Sequence, residues 1–121
     1  MKNPRRGFHS VTPRIVVADA AAQIVFLRTV FDAVGEPRAD GPAEMRIGDS
    51  VVMVTAADSR EPFPAFLYVY VDDADAVYRQ ALAVGAVSLE EPRDTPYGDR
   101  RAMVRDPFGN MWQIAHVISC P

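Results

Sequence analysis

The sequence predicts an α+β fold built from two similar halves, each a strand, a helix and three further strands. In each half a short β-rich run ends at aspartate, in Val17-Ala-Asp19 and in Val71-Asp72. In each half the helical stretch that follows stops at a Val-Gly pair, Val34-Gly35 and Val84-Gly85. A unit this small cannot bury both its sheet and its helix, so the two halves are expected to combine in one domain of 121 residues.

The first repeat is expected at about residues 11–56 and begins with a strand over Thr12–Val17. Asp19 suits a helix N-cap because its carboxylate can accept from the free amides of the first turn. Apolar residues then recur at helical spacing, which predicts a helix over Ala20–Val34 with Gly35 as its left-handed cap. Three extended segments follow, with a two-residue turn at Gly48-Asp49: Glu36–Asp40, Glu44–Ile47 and Val51–Ala56.

A proline-containing linker at about residues 57–64 leads to the second repeat, at about residues 65–118. Phe66–Val71 alternates as a strand, with Phe66, Tyr68 and Tyr70 on one side. The remaining elements are a helix capped by Asp72 or Asp73, a strand, a loop and a closing hairpin, predicted at Ala74–Val84, Ala86–Leu89, Pro92–Gly98 and 98–115.

The closing hairpin turns at Asp106-Pro-Phe-Gly109, which fits a type I β-turn. Aspartate at the first position can accept from the turn amides, and proline fixes φ at the second. Glycine at the fourth position accepts an unusual φ. The segment is therefore predicted to be a tight turn between two strands.

Composition limits the classes of partner. The formal net charge of −3 argues against nucleic acid as the main partner. The single cysteine, Cys120, allows no disulfide within one chain. No apolar stretch reaches the roughly 20 residues that a membrane span needs, and residues 1–10 lack the apolar segment of a signal peptide. We expect a cytoplasmic protein without a membrane partner.

Nearly all of residues 8–118 resembles the glyoxalase/bleomycin resistance/extradiol dioxygenase superfamily, also called the vicinal oxygen chelate (VOC) superfamily. The Thr-Pro start and the Gly-Asp-Arg with Asp-Pro-Phe-Gly look most like its PhnB-like branch. The matching segments are Val11-Thr-Pro-Arg-Ile-Val-Val-Ala-Asp19, Phe26, Arg46-Ile-Gly-Asp49, Tyr68-Val-Tyr-Val-Asp-Asp-Ala-Asp75 and Tyr97-Gly-Asp-Arg100 leading into Asp106-Pro-Phe-Gly-Asn-Met-Trp112.

The resemblance implies paired βαβββ units whose strands form a curved, partly open mixed sheet around a cavity, with the helices outside. It also implies a homodimer. Its register places Ile15 and Val17 under the helices and points Phe66, Tyr68, Tyr70 and Gln113 into the cavity. For strand 100–105 two possibilities stay open: Arg101, Met103 and Arg105 line the cavity, or Arg100 and its face do.

Metal-dependent members of the superfamily place one ligand, usually histidine or glutamate, on each of four strands. By resemblance these four positions are Thr12, Met53, Phe66 and Gln113. They offer neither imidazole nor carboxylate, so we expect no metal and no other cofactor, and metal-dependent glyoxalase or dioxygenase chemistry is disfavoured.

The first functional hypothesis is a metal-free protein of the drug-binding or resistance type that holds a small aromatic or apolar ligand. Its ligand-binding residues would be Thr12, Arg14, Met53, Thr55, Phe66, Tyr68, Tyr70, Arg101 and Gln113. The alternative is a metal-independent lyase, isomerase or related enzyme. In that case Tyr68 or Tyr70 would be the acid and Arg14 would stabilise negative charge.

Overall fold

The computed structural model describes residues 4–58 and 60–119. The chain divides into two compact units, residues 1–63 and 64–121. In its described part each unit has one helix and one mixed sheet, of three strands in the first and four in the second, and neither sheet closes into a barrel. The α+β prediction is confirmed. No described helix is long and apolar enough to cross a membrane.

Unit 1 contains β1 (Arg14–Val17), α1 (Ala20–Phe31), β2 (Ala43–Ile47) and β3 (Ser50–Ala56). β3 lies in the centre, parallel to β1 and antiparallel to β2. The hairpin turn falls at Gly48-Asp49, as predicted, because Ile47 pairs with Ser50. The core side of this sheet and of α1 is made of fully or almost fully buried residues, including Ile15, Val17, Leu27, Met45, Val52 and Val54.

The predicted end of α1 is wrong. The helix stops at Phe31, and Asp32 rather than Gly35 takes the left-handed conformation, at φ +54°. Val34 instead exchanges two backbone hydrogen bonds with Arg46, of 2.9 and 2.8 Å. Backbone pairing at the edge of β2 replaces another helical turn, and Glu36–Asp40 forms no strand. The first of the three extended segments predicted after the helix is therefore absent, and among the described residues the only pairing near it is the isolated bridge between Val34 and Arg46.

Unit 2 contains α2 (Ala74–Ala83) and four strands, which are β4 (Phe66–Tyr70), β5 (Val87–Asp94), β6 (Asp99–Arg105) and β7 (Met111–Val117). The strands form one sheet of order β4-β7-β6-β5, and α2 packs against β5, β6 and β7. The helix-facing side is completely buried at Trp112, Ile114, Val104 and Ala102. Trp112 and Ile114 therefore belong to the core of this unit.

In unit 2 the structure decides which aspartate caps α2, and it places the end of β5 later than predicted. Asp73 rather than Asp72 caps α2, because its Oδ1 accepts from the Ala76 amide at 3.1 Å. β5 continues to Asp94 through Pro92, although a loop was predicted there. An edge strand tolerates proline because the missing amide costs no ladder bond on the outer side. The pairing with β6 is also shifted between Ser88 and Arg93, which relieves strict strand geometry.

The turn between β6 and β7 forms as predicted. The Gly109 amide donates to the Asp106 carbonyl at 3.2 Å, and Gly109 has φ +98°. Oδ1 of Asp106 accepts from the amides of Phe108 and Asn110 at 2.9 and 3.0 Å. Oδ2 accepts from the indole Nε1 of the buried Trp112 at 2.9 Å. The turn carboxylate therefore also anchors the largest side chain of the core.

Candidate functional site

The face of the second sheet that α2 leaves uncovered carries the predicted aromatic stripe. Phe66 and Tyr70 are 59% and 61% exposed, and Tyr68 is 37% exposed. The residues between them, Leu67 and Val69, pair instead with the buried Trp112 and Ile114. Cross-strand partners share a side of the sheet, which adds residues of β6 and β7 to this face. We call it the open face of unit 2: Phe66, Tyr68, Tyr70, Arg101, Met103, Arg105, Met111 and Gln113.

Two ion pairs distinguish the two faces of strand 100–105. Arg101 lies on the open face and bonds Glu90 Oε1 through Nε and Nη2, at 3.0 and 2.6 Å. Arg100 lies on the opposite side and binds Asp75 of α2 bidentately, at 2.9 and 3.0 Å. That hydrogen bonding lowers the pKa of Asp75. Arg100 therefore ties the helix to the sheet.

A carboxylate that the sequence did not single out organises the tyrosines. Oδ2 of Asp99 accepts from the Tyr68 hydroxyl at 2.6 Å and from the Tyr70 hydroxyl at 2.9 Å. Asp99 is only 4% exposed. Its backbone is fixed by Thr95, whose hydroxyl accepts from the Asp99 amide and donates to the Asp99 carbonyl. The two rings lie 5.3 Å apart.

This carboxylate changes the acidity of both phenols. Burial and the hydrogen bond to Asp99 raise the pKa of Tyr68. The hydrogen bond to Asp99, with a smaller contribution from burial, raises the pKa of Tyr70. Ionising either phenol would cost its hydrogen bond and place two negative charges together. Both tyrosines are thus held in their protonated form.

Tyr97 is a third phenol in the same cluster, on the loop before β6. Its oxygen lies 3.2 Å from that of Tyr68 and accepts from Nη1 of Arg101 at 3.0 Å. The hydrogen bond with Tyr68, followed by that from Arg101, lowers the pKa of Tyr97. Its side chain is half exposed, at 52%. Tyr97 is therefore the phenol of the cluster that contacts both solvent and a cation.

In unit 1 three predicted site residues share the face of the sheet away from α1. Arg14 pairs with Met53, and Val16 with Thr55. Nη2 of Arg14 lies 3.8 Å from Sδ of Met53. Thr12 precedes β1, which starts at Arg14. Arg14 and Thr55 also line a cavity of about 390 Å³ within this unit, and Thr12 and Met53 do not.

The four positions that the resemblance assigns to metal ligands carry side chains that divalent metals do not favour. They supply a hydroxyl and a thioether in unit 1, at Thr12 and Met53, and a phenyl ring and an amide in unit 2, at Phe66 and Gln113. Divalent metals prefer imidazole, thiolate or carboxylate. Across residues 4–58 and 60–119 no three His, Cys, Asp or Glu side chains are grouped to hold an ion.

Both histidines form hydrogen bonds with the protein backbone. Nδ1 of His116 accepts from the amide of Ala74 at 2.8 Å, at the start of α2. Nε2 of His9 lies 2.9 Å from the carbonyl oxygen of Asp49. Each therefore has a structural hydrogen bond, one in each unit.

Comparison with known proteins identifies the family. The sequence profile of the Glyoxalase/Bleomycin resistance protein/Dioxygenase superfamily matches residues 7–114. The chain belongs to this superfamily. It is 32% identical to uncharacterised proteins of Mycobacterium bovis and Mycobacterium tuberculosis, over 90% of this chain and 84% and 75% of theirs.

Solved structures share the fold. TioX from Micromonospora sp. ML1 superposes with a TM-score of 0.74 at 23% identity, covering 90% of this chain and 98% of TioX. A glyoxalase/bleomycin resistance protein/dioxygenase family enzyme from Burkholderia phytofirmans PsJN gives 0.76 at 22% identity, covering 88% and 96%. At these identities the likeness establishes the architecture and leaves the ligand open.

Proposed function

We propose that this protein binds a small, mainly aromatic or apolar organic ligand on the open face of unit 2, without a metal. The exposed stripe of Phe66, Tyr68 and Tyr70 carries the proposal, because large aromatic side chains on an uncovered sheet face favour stacking with a flat ligand. Arg101 and Gln113 beside the stripe would fix the orientation of the ligand.

The same proposal includes the finer assignments that the resemblance suggests. The protein would be a cytoplasmic, PhnB-like member of the superfamily with a drug-sequestering, resistance-like role. It would be a homodimer, which light scattering would detect as twice the chain mass of 13.3 kDa. Thr12, Arg14, Met53 and Thr55 remain predicted ligand contacts in unit 1.

The ligand-binding proposal is tested with anilinonaphthalene sulfonate, a fluorescent aromatic probe. Tyr70→Ala should weaken probe binding about three- to tenfold, since it removes one exposed stacking ring at roughly 1 kcal/mol. Phe63→Ala is the matched control, because Phe63 is an aromatic residue of unit 1 that is even more exposed than Tyr70, at 73% against 61%. Equal affinities of the wild type and Tyr70→Ala would refute binding at the stripe.

Metal independence is tested on the same protein. Purified chain should contain nickel, zinc, manganese and iron well below one ion per chain, and a chelator should leave probe affinity unchanged. The physical reason is the lack of anionic or imidazole donors at Thr12, Met53, Phe66 and Gln113. A stoichiometric metal, or loss of binding on chelation, would contradict the metal-free assignment.

A metal-independent enzyme is the second candidate, and the position of Tyr97 favours it. A phenol with a lowered pKa that faces solvent and is bonded to Arg101 suits proton exchange with a bound substrate. Tyr68 and Tyr70, predicted as possible acids, hold their protons more tightly than an ordinary phenol. Their contacts favour a positioning role, and Arg14 remains the predicted group for stabilising negative charge.

A further inference from the structure

The cavity of unit 1 combines apolar walls with hydrogen-bond donors that have no acidic partner. It lies beside the first residue of β2, between the start of α1, the end of β3 and the segment 37–42. Its volume of about 390 Å³ lies in the range of small-ligand pockets. The apolar part of the wall includes Ala20, Ile24, Pro37, Pro42 and Ala43.

The first donor is the guanidinium of Arg14. Among residues 4–58 and 60–119 the ion pairs join other arginines to acids, and none includes Arg14. Its contact with Sδ of Met53, at 3.8 Å, is with a weak acceptor. Arg38, on the same cavity, is by contrast neutralised by Glu44 and Asp40. Of the two arginines on the cavity, Arg14 is therefore the one whose charge can pair with an anionic ligand.

The second donor is the hydroxyl of Thr55. Its Oγ1 is buried and has no hydrogen-bond partner within the described part of the chain. A buried hydroxyl without a partner costs about 1–3 kcal/mol of desolvation. An acceptor brought into the cavity would recover that cost.

The third donor is the backbone at the end of β3. The amides of Met53 and Ala57 both donate towards β1, so strand alternation directs the Ala56 amide to the opposite edge. β2 begins at Ala43, which pairs with Val54, and therefore offers Ala56 no strand partner. Ala56 also lines the cavity, so its amide is close enough to serve as a donor there.

We infer that the unit 1 cavity binds the carboxylate of a small organic acid, with Arg14, the Thr55 hydroxyl and the Ala56 amide as donors and a short apolar tail against the alanine and proline wall. A planar guanidinium suits a carboxylate because two of its N–H groups bond both oxygens. Asp58 also lines the cavity and opposes an anion. The carboxylate is therefore expected on the Arg14 side. The inference does not require a ligand on the open face of unit 2.

The test is a titration of the full chain with sodium butyrate, followed by amide NMR shifts, with butyramide and sodium chloride in parallel. Butyrate should bind at about millimolar strength, as a ligand of so few atoms allows. Butyramide, which lacks the charge, should bind at least tenfold more weakly. Shifts of equal size with chloride would overturn the inference, because they would show a general response to salt.

Three substitutions locate the site. Arg14→Gln should weaken butyrate binding about tenfold or more, whereas the control Arg79→Gln, on the exposed side of α2, should leave it unchanged. Asp58→Asn should strengthen binding by removing the opposing charge. Thr55→Val should weaken binding several-fold, and it should not lower thermal stability because the lost hydroxyl has no partner. Unchanged butyrate affinity in both Arg14→Gln and Thr55→Val would overturn the inference. It would not affect the test of the aromatic stripe with the fluorescent probe.

Discussion

Replacing Asp106 with alanine should lower the free energy of unfolding by about 4 kcal/mol. Asp106 is 3% exposed, and its carboxylate accepts from four groups, two of them side chains that are themselves fully buried. Alanine would remove the carboxylate that accepts from all four groups. Each buried donor left without an acceptor costs about 1–3 kcal/mol. The expected loss is large for one substitution because both the turn and the position of Trp112 depend on the same carboxylate.

Urea denaturation of wild-type and variant protein measures this loss. Asp106→Asn is the informative second variant because one oxygen remains and the local volume hardly changes. It should lose about half as much stability as Asp106→Ala. Asp49→Ala is the control. Asp49 lies in the corresponding hairpin turn of unit 1 and is exposed, so this substitution should change stability by less than about 1 kcal/mol. Similar losses for Asp49→Ala and Asp106→Ala would contradict the anchoring role.

Local chemistry made the turns and caps predictable. The Asp-Pro-Phe-Gly turn, the Gly48-Asp49 hairpin and the Asp19 cap each depend on neighbours within four residues, so the sequence alone contains the relevant contacts. The prediction of where α1 ends failed because it depends on a contact between residues that are distant in the sequence. Val34 pairs with Arg46, twelve residues away, and that contact outweighs the helical pattern. Gly35 is a residue type typical of a helix cap, but the helix has already ended at Phe31, before the chain reaches Gly35.

The candidate site shows the same division. Alternation along β4 correctly predicted that Phe66, Tyr68 and Tyr70 share a face. The role of Asp99 depends on the register of β4 with β7 and of β7 with β6, which no local pattern reveals. One signal was available: Asp99, Arg101, Met103 and Arg105 alternate on one side of their strand. Once Arg101 is placed on the open face, alternation along the strand places Asp99 on that face as well.

Asp99 is expected to control the ionisation of two of the four tyrosines. In the folded protein Tyr68 and Tyr70 should remain protonated above pH 10, the ordinary value for tyrosine. A pKa raised by folding stabilises the fold below pH 10, and this contribution is lost as the pH rises towards the folded value. The free energy of unfolding should therefore fall as the pH rises above 10.

Asp99→Asn should lower the pKa of both phenols, because it removes the negative charge beside them and leaves an amide of the same size. The measurement is the tyrosinate absorbance against pH, with circular dichroism to confirm that the chain stays folded. Tyr68→Phe assigns one of the late titrations. Asp94→Asn is the matched control, since Asp94 precedes the same loop and pairs with Arg100 on the other side of the sheet.

The two outcomes have different consequences for the open face. If two tyrosines titrate late in the wild type and early in Asp99→Asn, the carboxylate holds both rings in place for stacking, and Tyr97 is left as the phenol that can exchange a proton. Titration of Tyr68 and Tyr70 near pH 10 in the folded wild type would mean that the Asp99 hydrogen bonds do not persist in solution. The stripe would then lack its anchor, and Asp99→Asn should leave probe binding unchanged. Preorganised rings predict the reverse, a weaker probe affinity in Asp99→Asn with both aromatic side chains still present.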